Sequence, residues 1–166
     1  MEPSLADDSQ VMSVAKSTLE TLLDNLDIAA SVVLTSYPDE ESDAETTPIA
    51  FNIIGDDLGI LIGRRGQTLS CLQFLLRLIV GHQTKRWIPI TVDVEGYRER
   101  RVEKLQALAE RLAEQVTNRR SPFTMEPMLA YERRVIHLTL ADHPGVITES
   151  TGEGDARKVV IRPKKK

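Results

Sequence analysis

Between Val11 and Leu26, apolar residues return every third or fourth position, at Val11, Val14, Ala15, Leu19, Leu22, Leu23 and Leu26. That spacing predicts an amphipathic helix with one buried stripe. Ser9 stands where an N-cap would serve it, and residues 1–9 are polar enough to be expected disordered. The period then changes. Ile28 to Thr35 concentrates β-branched residues and predicts a strand, and Ile49 to Ile54 predicts a second. The acidic run from Tyr37 to Glu45, closed by Pro48, reads as a solvated loop between them. Gly55-Asp56-Asp57 offers a turn and an N-cap for a short helix carrying Leu58, Ile60, Leu61 and Ile62. A longer helix follows from Gln67 to about Val80, with Leu69, Leu72, Leu75, Leu76 and Ile79 at helical spacing and Gly81 as its stop. Ile88 to Val94 predicts a third strand, in which Pro89 marks either a sheet edge or the start of the strand.

A second set of elements follows Gly96. Val102, Leu105, Leu108, Leu112 and Val116 mark the stripe of a long helix that ends at Asn118-Arg119-Arg120-Ser121-Pro122. Pro127 is predicted to open another helix, with Met128, Tyr131, Val135 and Leu138 inward. Asp142-His143-Pro144-Gly145 reads as a turn and Val146 to Glu149 as a short strand. Ser150 to Asp155 reads as a glycine-rich hairpin loop, and Lys158 to Arg162 as a closing strand. The fold class is α+β.

Composition narrows the function. The chain has 166 residues, 41% of them hydrophobic, but only seven aromatics, too few for nucleic-acid recognition on stacked aromatic platforms. Its single cysteine, Cys71, excludes an intrachain disulfide and, among leucines, is expected in the core. The longest apolar stretch, Leu72 to Val80, is broken by Gln73 and Arg77 and is too short to span a bilayer. With an acidic, polar start in place of a leader, the expectation is a cytoplasmic protein without membrane insertion. The net charge of −4 hides an asymmetry. Residues 1–60 carry thirteen carboxylates against one lysine, net −12, whereas residues 61–166 carry twenty Lys/Arg against twelve carboxylates, net +8. Such asymmetry is a signal of polyanion binding by the basic half, and it equally fits acidic loops that keep a basic domain in solution.

Two constellations fit such a partner. Gly63-Arg64-Arg65-Gly66 lies between two helical patterns, where glycines leave the backbone bare and a nucleic-acid phosphate can approach N–H groups at the helix that begins with Gln67. Taken alone, the tetrapeptide also reads as an ordinary inter-helix turn. Arg133 and His137 are four residues apart and share one helix face, where both can donate to a phosphate; His137 alone equally reads as a packing histidine. Neither a metal-ligand cluster nor a Walker loop or nucleophile constellation is present, so no metal, cofactor or small-molecule substrate is expected.

The Gly63–Gly66 loop with its flanking apolar pattern, in the order helix–strand–strand–helix–loop–helix–strand, resembles a type II KH domain of the bacterial Jag/KhpB family. Arg133-x-x-x-His137, followed by Thr148-Glu149-Ser150-Thr151-Gly152-Glu153-Gly154 and Val159-Val160-Ile161, resembles the R-three-H single-stranded nucleic-acid-binding domain. KH followed directly by R-three-H is the Jag/KhpB architecture. The resemblance implies a KH domain over residues 10–95, with a three-stranded sheet packed by helices. It further implies a small α+β R-three-H domain over 97–163, leaving 164–166 as a basic tail. The N-terminal Jag domain and charged linker that the family often carries have no counterpart in this sequence, so functions resting on them are not expected. The implied activity is non-catalytic binding of single-stranded RNA, with single-stranded DNA as the alternative. RNA-binding residues would be Gly63, Arg64, Arg65, Gly66, Gln67, Arg133, His137, Ser150, Thr151, Gly152 and Gly154. Roles in RNA regulation, cell elongation or envelope homeostasis are implied too, as is a small KH-only partner. Two alternatives stand beside this one: an adaptor binding proteins or ribosomes through the acidic half, and a nuclease using His137 with Asp142 or His143.

Overall fold

The structure, a computed structural model, describes residues 5–35 and 49–164; the acidic run after Tyr37 and the last two lysines lie outside the described residues. The chain divides into two compact units, Met1–Tyr97 and Arg98–Lys166.

In the first unit the order is α1 (Leu5–Asn25), β1 (Ala30–Thr35), β2 (Ile49–Gly55), α2 (Gly59–Ile62), α3 (Gln67–Thr84) and β3 (Ile90–Val94). The sheet order is β1-β2-β3, with β2 antiparallel to β1 and parallel to β3. Phe51 in the central strand pairs with Leu34 on one side and Val92 on the other. Leu19 and Leu23 of α1 and Leu69, Leu72 and Leu76 of α3 join Phe51, Ile53 and Val92 in one core. The two polar residues that interrupt the apolar run of α3 have a purpose there. Gln73 Oε1 accepts the Val92 N–H at 3.0 Å, and Arg77 Nε–H donates to the Ile90 carbonyl at 2.6 Å. Both satisfy backbone groups of β3, an edge strand that begins just after Pro89, which would otherwise face water or another strand.

Several expectations for this unit need correction. The first helix starts at Leu5, so Ser9 lies inside it and residues 5–9 are helical; nothing between Leu5 and Val11 breaks a helix. Leu58, with no side-chain cap, occupies the N-cap of α2 in place of the aspartates. Helix α3 runs past Gly81 to Thr84. Gly81 is buried because the Trp87 indole packs on it, so that a Cβ at this position would lie only 3.3 Å from the ring, and Lys85 provides the left-handed stop (φ 56°). Cys71 is exposed. The core side of α3 is set by Leu69, Leu72, Leu76 and Val80, and a 100° rotation per residue puts Cys71 on the opposite side with Phe74 and Leu78.

The second unit contains α4 (Tyr97–Arg119) from its second residue onward, then β4 (Phe123–Thr124), α5 (Ala130–Thr139), β5 (Val146–Thr151) and β6 (Lys158–Pro163). Its antiparallel sheet has the order β4-β6-β5. Leu105, Ala109 and Val116 of α4 pack with Ile136, Val146, Val159 and Ile161. Two expectations need correction here, although Met128 and Val135 do pack against this core as their spacing predicts. Helix α5 begins at Ala130, not Pro127, and its inward side is Glu132, Ile136 and then Leu140, whereas Leu138 is 65% exposed. Glu132 is fully buried: Oε1 accepts the Arg101 Nε–H at 2.6 Å and Oε2 accepts the Leu129 N–H at 3.1 Å. A charged residue thus holds a core position, which an apolar count leaves out. The strand predicted over Val146–Glu149 continues to Thr151, taking Ser150 and Thr151 out of the loop.

Candidate nucleic-acid interface

In the first unit the chain leaves α2 through Gly63, at φ 66° and ψ −167°. A Cβ there would lie 1.9 Å from Thr68 Oγ1, so only glycine lets the backbone pass. Arg64 to Gly66 form a single 3-10 turn, in which Arg65 is left-handed (φ 56°, ψ 34°). Gly66 is left-handed too and serves as the N-cap of α3, which receives no side-chain capping bond. A side chain at Gly66 would press on the Tyr97 ring, 3.1 Å away. Here the start of an 18-residue helix, with its amide groups and the positive end of its dipole, is approached by bare backbone. Arg64 is exposed, Arg65 half-buried and engaged within the fold, and Gln67 exposed. On α2, Ile60 is 71% exposed and provides an apolar surface beside the turn. Such an arrangement can hold an anionic backbone with an apolar ring laid alongside it.

In the second unit, α5 lies against β5 and brings Arg133, His137 and Ser150 together. His137 Nε2 is 2.8 Å from Ser150 Oγ, and Nδ1 is 2.6 Å from Thr148 Oγ1. Arg133 Nη1–H donates to the same Ser150 Oγ at 3.4 Å, while its Nε is buried without a hydrogen-bond partner. Both ring nitrogens of His137 are therefore committed inside the fold, which changes the expectation that the imidazole donates directly to a phosphate. Thr151, the next residue, points to the other side of the pleat, and Gly152 and Gly154 lie in the exposed turn before β6. Thr148, named in the sequence only as part of the run before the loop, was not given a role at the site. The signal for it was the alternation of β5, which places Val146, Thr148 and Ser150 on one face.

Burial, and after it the positive charge of Arg133, holds His137 below the ordinary imidazole value of 6.5. As pH falls, the unfolded chain takes up this proton before the folded one does. Stability is thus full above 6.5 and declines as pH drops from there through the folded value. In thermal melts between about pH 8 and about pH 5, the wild type is expected to lose melting temperature below about 6.5 more steeply than His137→Gln. Parallel pH profiles would overturn this assignment.

Comparison with known proteins bears on both units. Residues 16–93 match the family described as "KhpA/KhpB, KH domain", and residues 103–163 match the R-three-H domain family. The chain thus carries a KH domain of the KhpA/KhpB type followed by an R-three-H domain. It is 40% identical over 147 residues to "RNA-binding protein KhpB" of Clostridium symbiosum, covering 89% of this chain and 64% of that protein. With the protein of the same name from Bacillus subtilis (strain 168), identity is 39% over 119 residues, covering 70% and 57%. This chain therefore spans about three-fifths of the length of these curated KhpB relatives. No helix among the described residues is long and apolar enough to cross a membrane.

Proposed function

We propose that this chain binds single-stranded RNA without catalysis, through two modules spanning residues 10–95 and 97–163. The observation that carries the reading is the turn at Gly63–Gly66, which delivers bare backbone and two arginines to the uncapped start of α3. Gly63, Arg64, Arg65, Gly66 and Gln67 hold one phosphodiester segment in the first module. Arg133 and Ser150 form the second contact, built around His137, with Thr151, Gly152 and Gly154 at its margin. The relatives' printed name, RNA-binding protein, supports the same class of ligand. Two weak sites on one chain reinforce each other through effective concentration. Fluorescence anisotropy with single-stranded RNA should show affinity falling with salt, by roughly 0.7 in log–log slope for each neutralised phosphate. Salt-independent or absent binding would overturn the proposal. A single-stranded DNA of matching sequence run in parallel decides between the two nucleic acids.

A small KH-only protein is the proposed partner. Helix α3 presents Phe74 (64% exposed), Leu75 (47%) and Leu78 (47%), and Trp87 beside them is 75% exposed. Phe74, Arg77, Leu78, Trp87, Ile88 and Pro89 line a surface groove of about 420 Å³. Contiguous apolar surface of this kind marks protein contacts. Phe74→Asp/Leu78→Asp is expected to abolish co-elution with such a partner in size-exclusion chromatography, and undiminished co-elution would exclude this surface.

A further inference from the structure

We propose that His137 is a positioning residue that aims the Ser150 hydroxyl at a phosphodiester oxygen and does not itself touch the RNA; this rests on the second unit being an RNA contact. The count of protons and lone pairs at Ser150 leads there. Ser150 Oγ has one proton to give and two lone pairs to receive. Arg133 Nη1–H already occupies one lone pair. His137 Nε2, 2.8 Å away, can relate to Ser150 in two ways, set by its tautomer. With the proton on Nδ1, Nε2 accepts, the serine proton is directed into the protein, and no hydroxyl donor remains for an anion. With the proton on Nε2, the ring fills the second lone pair, and the serine O–H must point away from both partners.

Thr148 Oγ1, 2.6 Å from Nδ1, serves either state, because a hydroxyl can accept from Nδ1–H or donate to a bare Nδ1. An approaching phosphodiester oxygen selects the state with the proton on Nε2, since it accepts hydrogen bonds and cannot donate them, and Thr148 then donates to Nδ1. Strand β5 supplies both hydroxyls because Thr148 and Ser150 are two residues apart and share a face of the pleat. Their cross-strand partners on β6 are Ile161 and Val159, both fully buried and apolar, so no competing polar group enters from that side. Arg133, from one turn earlier on α5, supplies the charge. Its buried Nε, lacking a partner, marks this as a place where the fold leaves a donor unmet. The low imidazole pKa agrees, because a neutral ring has one donor and one acceptor nitrogen, as the relay requires. Thr148 donates to His137, His137 donates to Ser150, and Ser150 donates to the RNA.

The test is a double-mutant cycle read by single-stranded RNA anisotropy on the full chain, with thermal melts confirming that each variant folds. Ser150→Ala is expected to weaken binding about tenfold, the size of one hydrogen bond to a charged group. His137→Ala should cost a similar factor, and the double variant no more than either single one. If the ring itself gripped phosphate, the two factors would multiply, and the relay would be overturned. Two near-isosteres sharpen the reading. His137→Gln extends an amide to the Nε2 position and should retain most affinity, whereas His137→Asn reaches only the Nδ1 position and should behave like Ser150→Ala. Equal loss in both would also overturn the proposal. Arg133→Ala separates the two levels of inference. If it weakens binding and Ser150→Ala does not, the relay fails while the RNA contact stands. If neither changes affinity, the second unit is not an RNA contact.

Discussion

Arg64→Asp/Arg65→Asp is expected to weaken single-stranded RNA binding by roughly 30- to 100-fold at physiological salt, and to lower the log–log salt slope by about 1.4. The slope change is two phosphates at about 0.7 each for a single strand; the larger loss in affinity includes repulsion from the two new carboxylates. Tolerance of the turn makes the double variant a fair probe. Arg65 adopts φ 56°, ψ 34°, and aspartate is among the few residues that accept left-handed backbone with little strain. Arg64 is exposed, whereas Arg65 is half-buried and engaged with the fold, so Arg64→Asp alone should produce the larger share of the effect. Anisotropy titrations at three or more salt concentrations, with circular dichroism to confirm folding, give both quantities. An unchanged slope would mean that this turn touches no phosphate.

The largest effect on stability is expected from Arg101→Ala. Glu132 is fully buried, and its Oε1 is held by the Arg101 guanidinium at 2.6 Å. Removing the arginine leaves a carboxylate in the core with only the Leu129 N–H at 3.1 Å for company. Breaking one side of a buried pair costs about 3–5 kcal/mol; since the Arg101 side chain is 23% exposed, about 3 kcal/mol is the better figure. For a unit of this size that corresponds to a fall of roughly 12–24 °C in melting temperature. Replacing both partners, as in Arg101→Met/Glu132→Leu, should restore much of the loss because no unpaired charge remains. Equal melting temperatures for wild type and Arg101→Ala would show that water or another group compensates Glu132.

The places where sequence and structure part company share a cause. Elements made from simple apolar periodicity, such as α1, β2 and α4, were legible because one face of each is uniformly hydrophobic. Legibility failed where tertiary pairing reassigned a residue. Glu132 enters the core only because Arg101, thirty-one positions earlier, reaches it. Gly81 does not stop α3 because Trp87 folds back to fill the space above it. The Gly63–Gly66 turn could be read from spacing because its geometry is local. The hydroxyl pair around His137 could not, since it depends on how α5 lies over β5, although the two-residue step from Thr148 to Ser150 was visible on the strand.

Cys71 has a practical consequence. It is the only thiol in the chain, it is exposed, and it lies one helical turn after Gln67, about 6 Å along the axis of α3. A maleimide fluorophore would therefore attach at a single site, close to the Gly63–Gly66 turn and on the unit's outer side. Without any engineered cysteine, the native chain can carry a dye on the Phe74–Leu78 face of α3, one helical turn from the proposed RNA-binding residues.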